Sequence, residues 1–252
     1  MLKTGAGKPA PVLLFLCNDN VCGDTMRLKY SSDKENDMLH AEAFLFDMDG
    51  TLVDSTEVVE NEWRRFSARF DLDAEEVIAF AHGRQTLDTV IHFLGAGEEA
   101  VTAADELDAR ELMILDGIVA IAGAADLLQR LPQDRWALVT SASRELAINR
   151  MHAAGLPLPA VMVCAEDVAE GKPSPEGYLK AASILGYRAQ DCIVFEDAAA
   201  GIRAGNASGA RVIAVVPDAN GAQEAFACAT LTMLNIVPDT SGFRITLLMA
   251  EE

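Results

Sequence analysis

The stretch "AEAFLFDMDGTLVDSTE", Ala41 to Glu57, decides how the rest of the chain is read. Its apolar run, Ala43 to Phe46, meets two aspartates separated by one methionine, Asp47 and Asp49. Gly50, Thr51 and a third acid, Asp54, follow. A short run that is apolar on both faces reads as a buried parallel strand. In open α/β sheets ligands bind beyond the carboxyl ends of the strands, so acids placed there mark a site.

Working outward, the same pattern returns. Short apolar runs occur at Ala137–Val139, Val161–Val163, Ile193–Phe195 and Val212–Val216. Helical stretches alternate with them, at Arg144–Ala154, Pro175–Leu185 and Ala199–Ser208. Strand–helix alternation predicts a Rossmann-like, doubly wound α/β sheet. One interval breaks the rhythm. Residues 56–121 show no strand pattern, and "STEVVENEWRRFSARF", "DAEEVIAFAHG", "TLDTVIHFLGAG" and "AADELDARELMIL" read as amphipathic helices. The expected layout is a core from 38–55 and 122–252, with a small helical domain, 56–121, inserted between its first two strands. Trp63 and Phe66 are expected in that domain's core, His92 packed against neighbours and His152 on a helix surface.

The chain has 252 residues, half of them hydrophobic, which is enough for a large core. The net charge of −19 argues against nucleic acid or an anionic membrane as partner, since both require clustered Lys and Arg. Residues 1–37 carry five basic and five acidic side chains, so the acidic excess lies entirely beyond them. They read as an appended or mis-started leader, with the working protein beginning near Met38. "PVLLFLC", Pro11 to Cys17, is a poor secretion signal. No apolar run approaches the ~18 residues of a membrane helix. The five cysteines are odd in number and form no CxxC pair, which fits reduced thiols in a cytoplasmic protein better than zinc or a disulfide framework.

Polar groups recur at the expected strand ends: Thr140 and Ser141 after the second strand, Lys172 beyond the third, Glu196 and Asp197 after the fourth. Gathered in one crevice, the carboxylates suit a hard divalent cation such as Mg²⁺. With a cation present, an aspartate can attack a phosphorus atom whose charge would otherwise repel it. A lysine balances the remaining charge, and hydroxyl and backbone N–H groups hold phosphate oxygens. A calcium loop is excluded, because Gly50 falls at the fourth position from Asp47 and Val58 at the twelfth. Each short motif has a bland reading by itself: an acidic turn, a common "GKP" turn, a helix start. All of them in order, each after a strand, do not.

These motifs resemble those of the haloacid dehalogenase superfamily, in its phosphatase branch with a helical cap. "FDMDGTLVDS" is similar to the first motif, "LVTSAS" to the second, "GKPSPEGY" to the third and "VFEDAAAGIRAG" to the fourth. The resemblance implies that Asp47 is the nucleophile, forming an aspartyl-phosphate, and that Asp49 is the general acid and then the base. It implies Mg²⁺ held by the Asp47 carboxylate, the Asp49 backbone carbonyl and Asp197, with Glu196 assisting. Lys172, Gly50, Thr51 and either Thr140 or Ser141 would bind phosphate. Dehalogenases lack the second aspartate, so Asp49 sets this chain apart from them.

Two positions depart from the family pattern. Ala198 stands where a serine is usual, and Ala122 precedes Gly123 where proline is usual. The insertion would be the cap, with Arg84 and His82 of "HGRQ" contacting substrate. Asp54, Ser55 and Thr56 would form the hinge and cap the next helix. The expected activity is Mg²⁺-dependent hydrolysis of small sugar or polyol phosphates, by a monomer or weak homo-oligomer. The resemblance extends to bacterial phosphatases of hexitol phosphates and 2-deoxyglucose 6-phosphate. Alternatives are a β-phosphoglucomutase-like mutase and a catalytically silent binding protein on the same fold.

Overall fold

The computed structural model describes residues 38–215, 226–228 and 230–247. The expected leader, residues 1–37, lies outside them, as does Val216 at the end of an expected strand.

In chain order the elements begin with β1 (Leu39–Ala41), β2 (Ala43–Phe46) and β3 (Val53–Asp54). Four helices follow: α1 (Thr56–Phe70), α2 (Ala74–Ala81), α3 (Thr86–Leu94) and α4 (Glu98–Glu111). The chain returns through β4 (Val119–Ala120) to α5 (Ala124–Arg130), β5 (Trp136–Val139), α6 (Arg144–Ala153) and β6 (Val161–Val163). Then come α7 (Glu176–Leu185), β7 (Cys192–Glu196), α8 (Ala199–Ala207), β8 (Arg211–Val215) and β9 (Phe226–Cys228). Last are β10 (Leu234–Pro238) and β11 (Phe243–Leu247).

Six strands form one parallel sheet in the order β6-β5-β2-β7-β8-β9. The chain starts at β2 and winds outward to both sides, which makes the end of β2 the topological switch point. Alternate side chains of each strand enter opposite layers. Phe44, Phe46, Leu138 and Phe195 join one buried cluster, and Ala43, Leu45, Val139 and Val194 join the other. Both faces are covered, which is why these strands are apolar throughout. Register completes the placement: Phe46 lies level with Leu138 of β5 and Phe195 of β7. The residues that follow therefore emerge together at one edge.

The inserted helices α1–α4 bury a separate cluster around Trp63, Phe66, Val77, Val90 and Leu107. His92 stacks on Phe80, with ring centroids 3.9 Å apart, and His152 is exposed.

Three features differ from the sequence reading. Residues 56–121 do contain a strand, because β4 pairs antiparallel with β3 where the chain leaves and re-enters the core. Two residues are too few to show a periodicity; the pairing is tertiary. A second, antiparallel sheet, β1-β11-β10, covers one side of the core and was not expected. Ser55 occupies the N-cap position of α1 without capping it, because its hydroxyl is drawn to Asp49 instead. The amide of Thr56 bonds to Asp54 at 3.2 Å.

Candidate active site

Asp47 follows β2 directly, is 5% exposed, and ties its amide to the Phe195 carbonyl at 2.9 Å. The turn after it is closed locally. Gly50 N–H donates to the Val53 carbonyl at 2.7 Å, and Leu52 N–H to Met48 at 2.8 Å. Gly50 has φ +81°, and a Cβ there would lie 2.0 Å from Asp197 Oδ2. Glycine is required twice over, by conformation and by the closeness of the acid.

Lys172 crosses to this point from the loop before α7. Its ammonium donates to Asp47 and, at 2.6 Å, to Glu196 Oε1. Tyr178 OH donates to the same Glu196 oxygen at 2.9 Å. Glu196 Oε2 accepts the amides of Asp197 and Ala198 at 2.9 and 3.0 Å. Ala198, the N-cap residue of α8, thus has its amide satisfied by the glutamate. Gly201 leaves room for that carboxylate, since a Cβ there would meet Glu196 Oε1 at 1.5 Å.

Burial dominates the electrostatics of this cluster. It pushes Asp47 up to about 8, against the pull of Lys172, and it raises Asp197 well above the carboxylate range, with Glu196 and Asp47 adding to the effect. Burial alone would lower Lys172, but Asp47 and Glu196 outweigh it and hold the ammonium above its ordinary value. One cation facing three crowded acids leaves negative charge in excess. Asp47, Glu196 and Asp197 each offer an oxygen, all within 4.8 Å of one another, so the donor set fits a hard dication such as Mg²⁺.

The cluster opens into a cavity of about 360 Å³ between core and cap, walled by Asp47, Asp49, Thr140, Ser141, Asp197 and the cap's His82–Thr86 segment. The structure thus brings Arg84 and His82 onto the same cavity as the aspartates. Gly50 also lines it, but Thr51 does not; Thr51 is fully buried and its Oγ1 has no partner. The two hydroxyls after β5 differ. Ser141 Oγ donates to the Gly83 carbonyl at 2.9 Å, whereas Thr140 Oγ1 accepts the Ala142 amide at 3.1 Å and keeps its proton free. The cap sits closely on the core: a Cβ at Gly83 would be 2.7 Å from the Ala198 side chain, and Gln85 Nε2 reaches the Ala165 carbonyl at 3.3 Å. Arg84 lies over the Phe80 ring at 4.3 Å.

Four residues at this site had no assigned role in the sequence reading. Tyr178 belongs to the quoted "GKPSPEGY" and was visible as part of that motif. Arg150 and Glu111 had no local signal: one is an arginine in a helix whose polar residues run all round it, the other one acid among many on α4. Asp108, which lines the cavity and accepts from Thr86 Oγ1 at 2.6 Å, was equally hidden.

The molecule is thus a parallel sheet with a carboxylate pair at its switch point, a buried lysine beside it and a helical insertion packed over them. The haloacid dehalogenase-like hydrolase family matches residues 41–209, and the chain belongs to that family. Hexitol phosphatase A of Escherichia coli is 45% identical over 181 residues, covering 70% of this chain and 84% of that one. Glycerol-1-phosphate phosphohydrolase 2 of Saccharomyces cerevisiae is 38% identical over 192 residues, covering 70% and 75%. In fold the chain is similar to β-phosphoglucomutase from Clostridium difficile, at TM-score 0.68 and 24% identity over 77% of this chain and 93% of that one.

Proposed function

We propose that the protein is a Mg²⁺-dependent phosphatase of small sugar or polyol phosphates that works through an aspartyl-phosphate. The observation that carries this reading is the bond of buried Lys172 to Asp47, which lines the cavity between core and cap together with Asp49. Asp47 attacks phosphorus, and the bond to the substrate oxygen breaks as that oxygen takes a proton from Asp49. Asp49 then takes a proton from water, the water oxygen attacks phosphorus, and phosphate leaves Asp47 regenerated.

Lys172 and the Thr140 hydroxyl hold the phosphoryl oxygens. Ser141, committed to Gly83, contributes to the cap contact. Gly50 serves as the space for Asp197, its amide being used within the turn. Asp47, Asp197, Glu196 and the Asp49 carbonyl would hold Mg²⁺, which when bound neutralises the phosphoryl group and lets an anionic nucleophile approach it. Both contacts to the Asp49 side chain fall on Oδ1, so Oδ2 is left to carry the proton.

The cavity is of a size for a small phosphate ester, at the lower end of small-molecule sites. At its cap end Arg84, His82 and Asp108 offer donors and acceptors suited to hydroxyl groups. Transfer to water is favoured over a mutase reaction by one relative named as a phosphatase and one as a phosphohydrolase, since the likeness to β-phosphoglucomutase carries the fold alone. The enzyme is taken to act as a monomer or weak homo-oligomer in the cytoplasm. Among the described residues no helix is long and apolar enough to cross a membrane. Phosphate release from a panel of hexitol, glycerol and hexose phosphates, with and without Mg²⁺, tests the reading. Release that needs Mg²⁺ is expected; no release from any substrate would end it.

A further inference from the structure

Arg150, on the core helix α6, is 2% exposed. Its Nη1 lies 3.0 Å from Asp49 Oδ1, and its Nη2 lies 2.8 Å from Oε2 of Glu111, the last residue of the cap helix α4. Glu111 is itself 5% exposed. Ser55 Oγ donates to the same Asp49 oxygen at 2.6 Å. The Arg150 Nε is buried with no hydrogen-bond partner.

Stability does not explain this arrangement. A buried ion triad gives little net stabilisation over an apolar packing of the same volume, because desolvation offsets the attraction. An unpaired buried N–H adds to that cost. What the triad supplies is direction. A guanidinium is a rigid planar fork, so fixing one amino group on Glu111 fixes where the other points. Asp49 sits on a turn with its side chain more exposed than its partners, at 28%. Two donors converging on Oδ1 stop its carboxylate from rotating and leave Oδ2 in one place.

We propose that Arg150 is a positioning residue for the proton carrier Asp49, and that Glu111 fixes Arg150 from the cap. The inference rests on the phosphatase reading given above. It makes the cap a participant in proton transfer as well as a cover.

Leaving-group chemistry separates this role from a structural one or a direct substrate contact. Expulsion of an alkoxide from a hexitol phosphate needs a proton from Asp49, whereas p-nitrophenolate leaves as the anion. In kcat/KM, which reports the steps up to expulsion of the leaving group, only the alkyl ester depends on Asp49 as acid. The experiment compares wild type, Arg150→Met, Arg150→Lys and Glu111→Gln, as full chains with Mg²⁺, on a hexitol phosphate and on p-nitrophenyl phosphate.

For Arg150→Met, kcat/KM on the hexitol phosphate should fall on the order of 100-fold, and that on p-nitrophenyl phosphate less than about 3-fold. Glu111→Gln should shift the same ratio in the same direction by about 10-fold. Arg150→Lys, which keeps charge without the fork, should recover only part of the loss. Should Arg150→Met fail to fold, the near-isosteric Glu111→Gln carries the comparison. Equal losses on both substrates, no loss on either, or a rise in KM with kcat intact would overturn the proposal. Absence of wild-type turnover on both substrates would instead sink the phosphatase reading and this inference with it.

Discussion

The floor and the roof of the cavity are built differently. The floor presents Asp47 and Asp197 to the cavity, and behind them Glu196, at the end of β7, and Lys172, from the loop before α7, lock it by short bonds to one another and to backbone amides. The position of its acids follows from strand register, which a packed core holds rigidly. The roof consists of His82, Arg84, Gln85 and Thr86, in the break between α2 and α3. Arg84 rests on an aromatic ring, and Gln85 makes one long bond to the core. On the proposed function, the chemistry belongs to the rigid floor and the choice of substrate to the roof.

Substitutions can break or sharpen that division. Floor changes should damage turnover on every substrate, and roof changes should discriminate between substrates. The largest effect is expected from Lys172→Met. It removes the ammonium that faces both Asp47 and Glu196, and kcat should drop on the order of 10³-fold on all phosphate esters. Unpairing a buried charge should also cost about 3 kcal/mol in urea unfolding at pH 8. A substrate-selective loss would contradict the division.

Gly50→Ala comes next. Its Cβ would enter the space of Asp197, so the Mg²⁺ concentration for half-maximal activity should rise roughly 10- to 100-fold. An unchanged Mg²⁺ dependence would show that the turn adapts.

A pH effect of intermediate size follows from the floor. Burial raises Asp47 to about 8, and raises Asp197, above their unfolded carboxylate values. The folded state therefore binds more protons than the unfolded one between roughly pH 4 and 8, and stability is lost as pH rises through that window. Without divalent metal, Tm should be lower at pH 9 than at pH 5. Added Mg²⁺ should narrow the gap by favouring the ionised acids. A metal-free Tm that is flat or rises toward pH 9 would argue against the crowded floor.

The smallest effect belongs to the roof. Arg84→Ala should raise KM for a hexitol phosphate about 10-fold, leaving kcat and the p-nitrophenyl phosphate reaction nearly unchanged. A large kcat loss on both substrates would move Arg84 into the chemistry.

The same contrast explains what was legible in the sequence. The floor could be read because its acids abut runs such as Ala43–Phe46, whose strand character is local and whose ends converge in any doubly wound sheet. Its motifs match the family's in order, which makes Asp47, Lys172 and Asp197 legible from the sequence alone. The β3–β4 pair was hidden because two residues show no periodicity, and the β1-β11-β10 sheet because three-residue β1 pairs with a strand at the far end of the described chain and β10 mixes polar and apolar residues without a clear run. Arg150 and Glu111 were hidden for a related reason. They are 39 residues apart and look like ordinary helix surface until two helices bring them together against Asp49. Of the three residues read together as hinge and cap, Asp54 meets the Thr56 amide, whereas the Ser55 hydroxyl is claimed by Asp49.

Asp47 as the nucleophile is tested most directly by catching the phosphoryl group on it. On the proposed mechanism an Asp49→Asn variant has no base to activate water, but it does not need the acid to expel p-nitrophenolate. Mixed with p-nitrophenyl phosphate and Mg²⁺, it should release about one p-nitrophenolate per protein molecule and then stall. Mass spectrometry after an acid quench should place the phosphoryl group on Asp47. Steady turnover without a burst, or a phosphoryl group on any other residue, would contradict it.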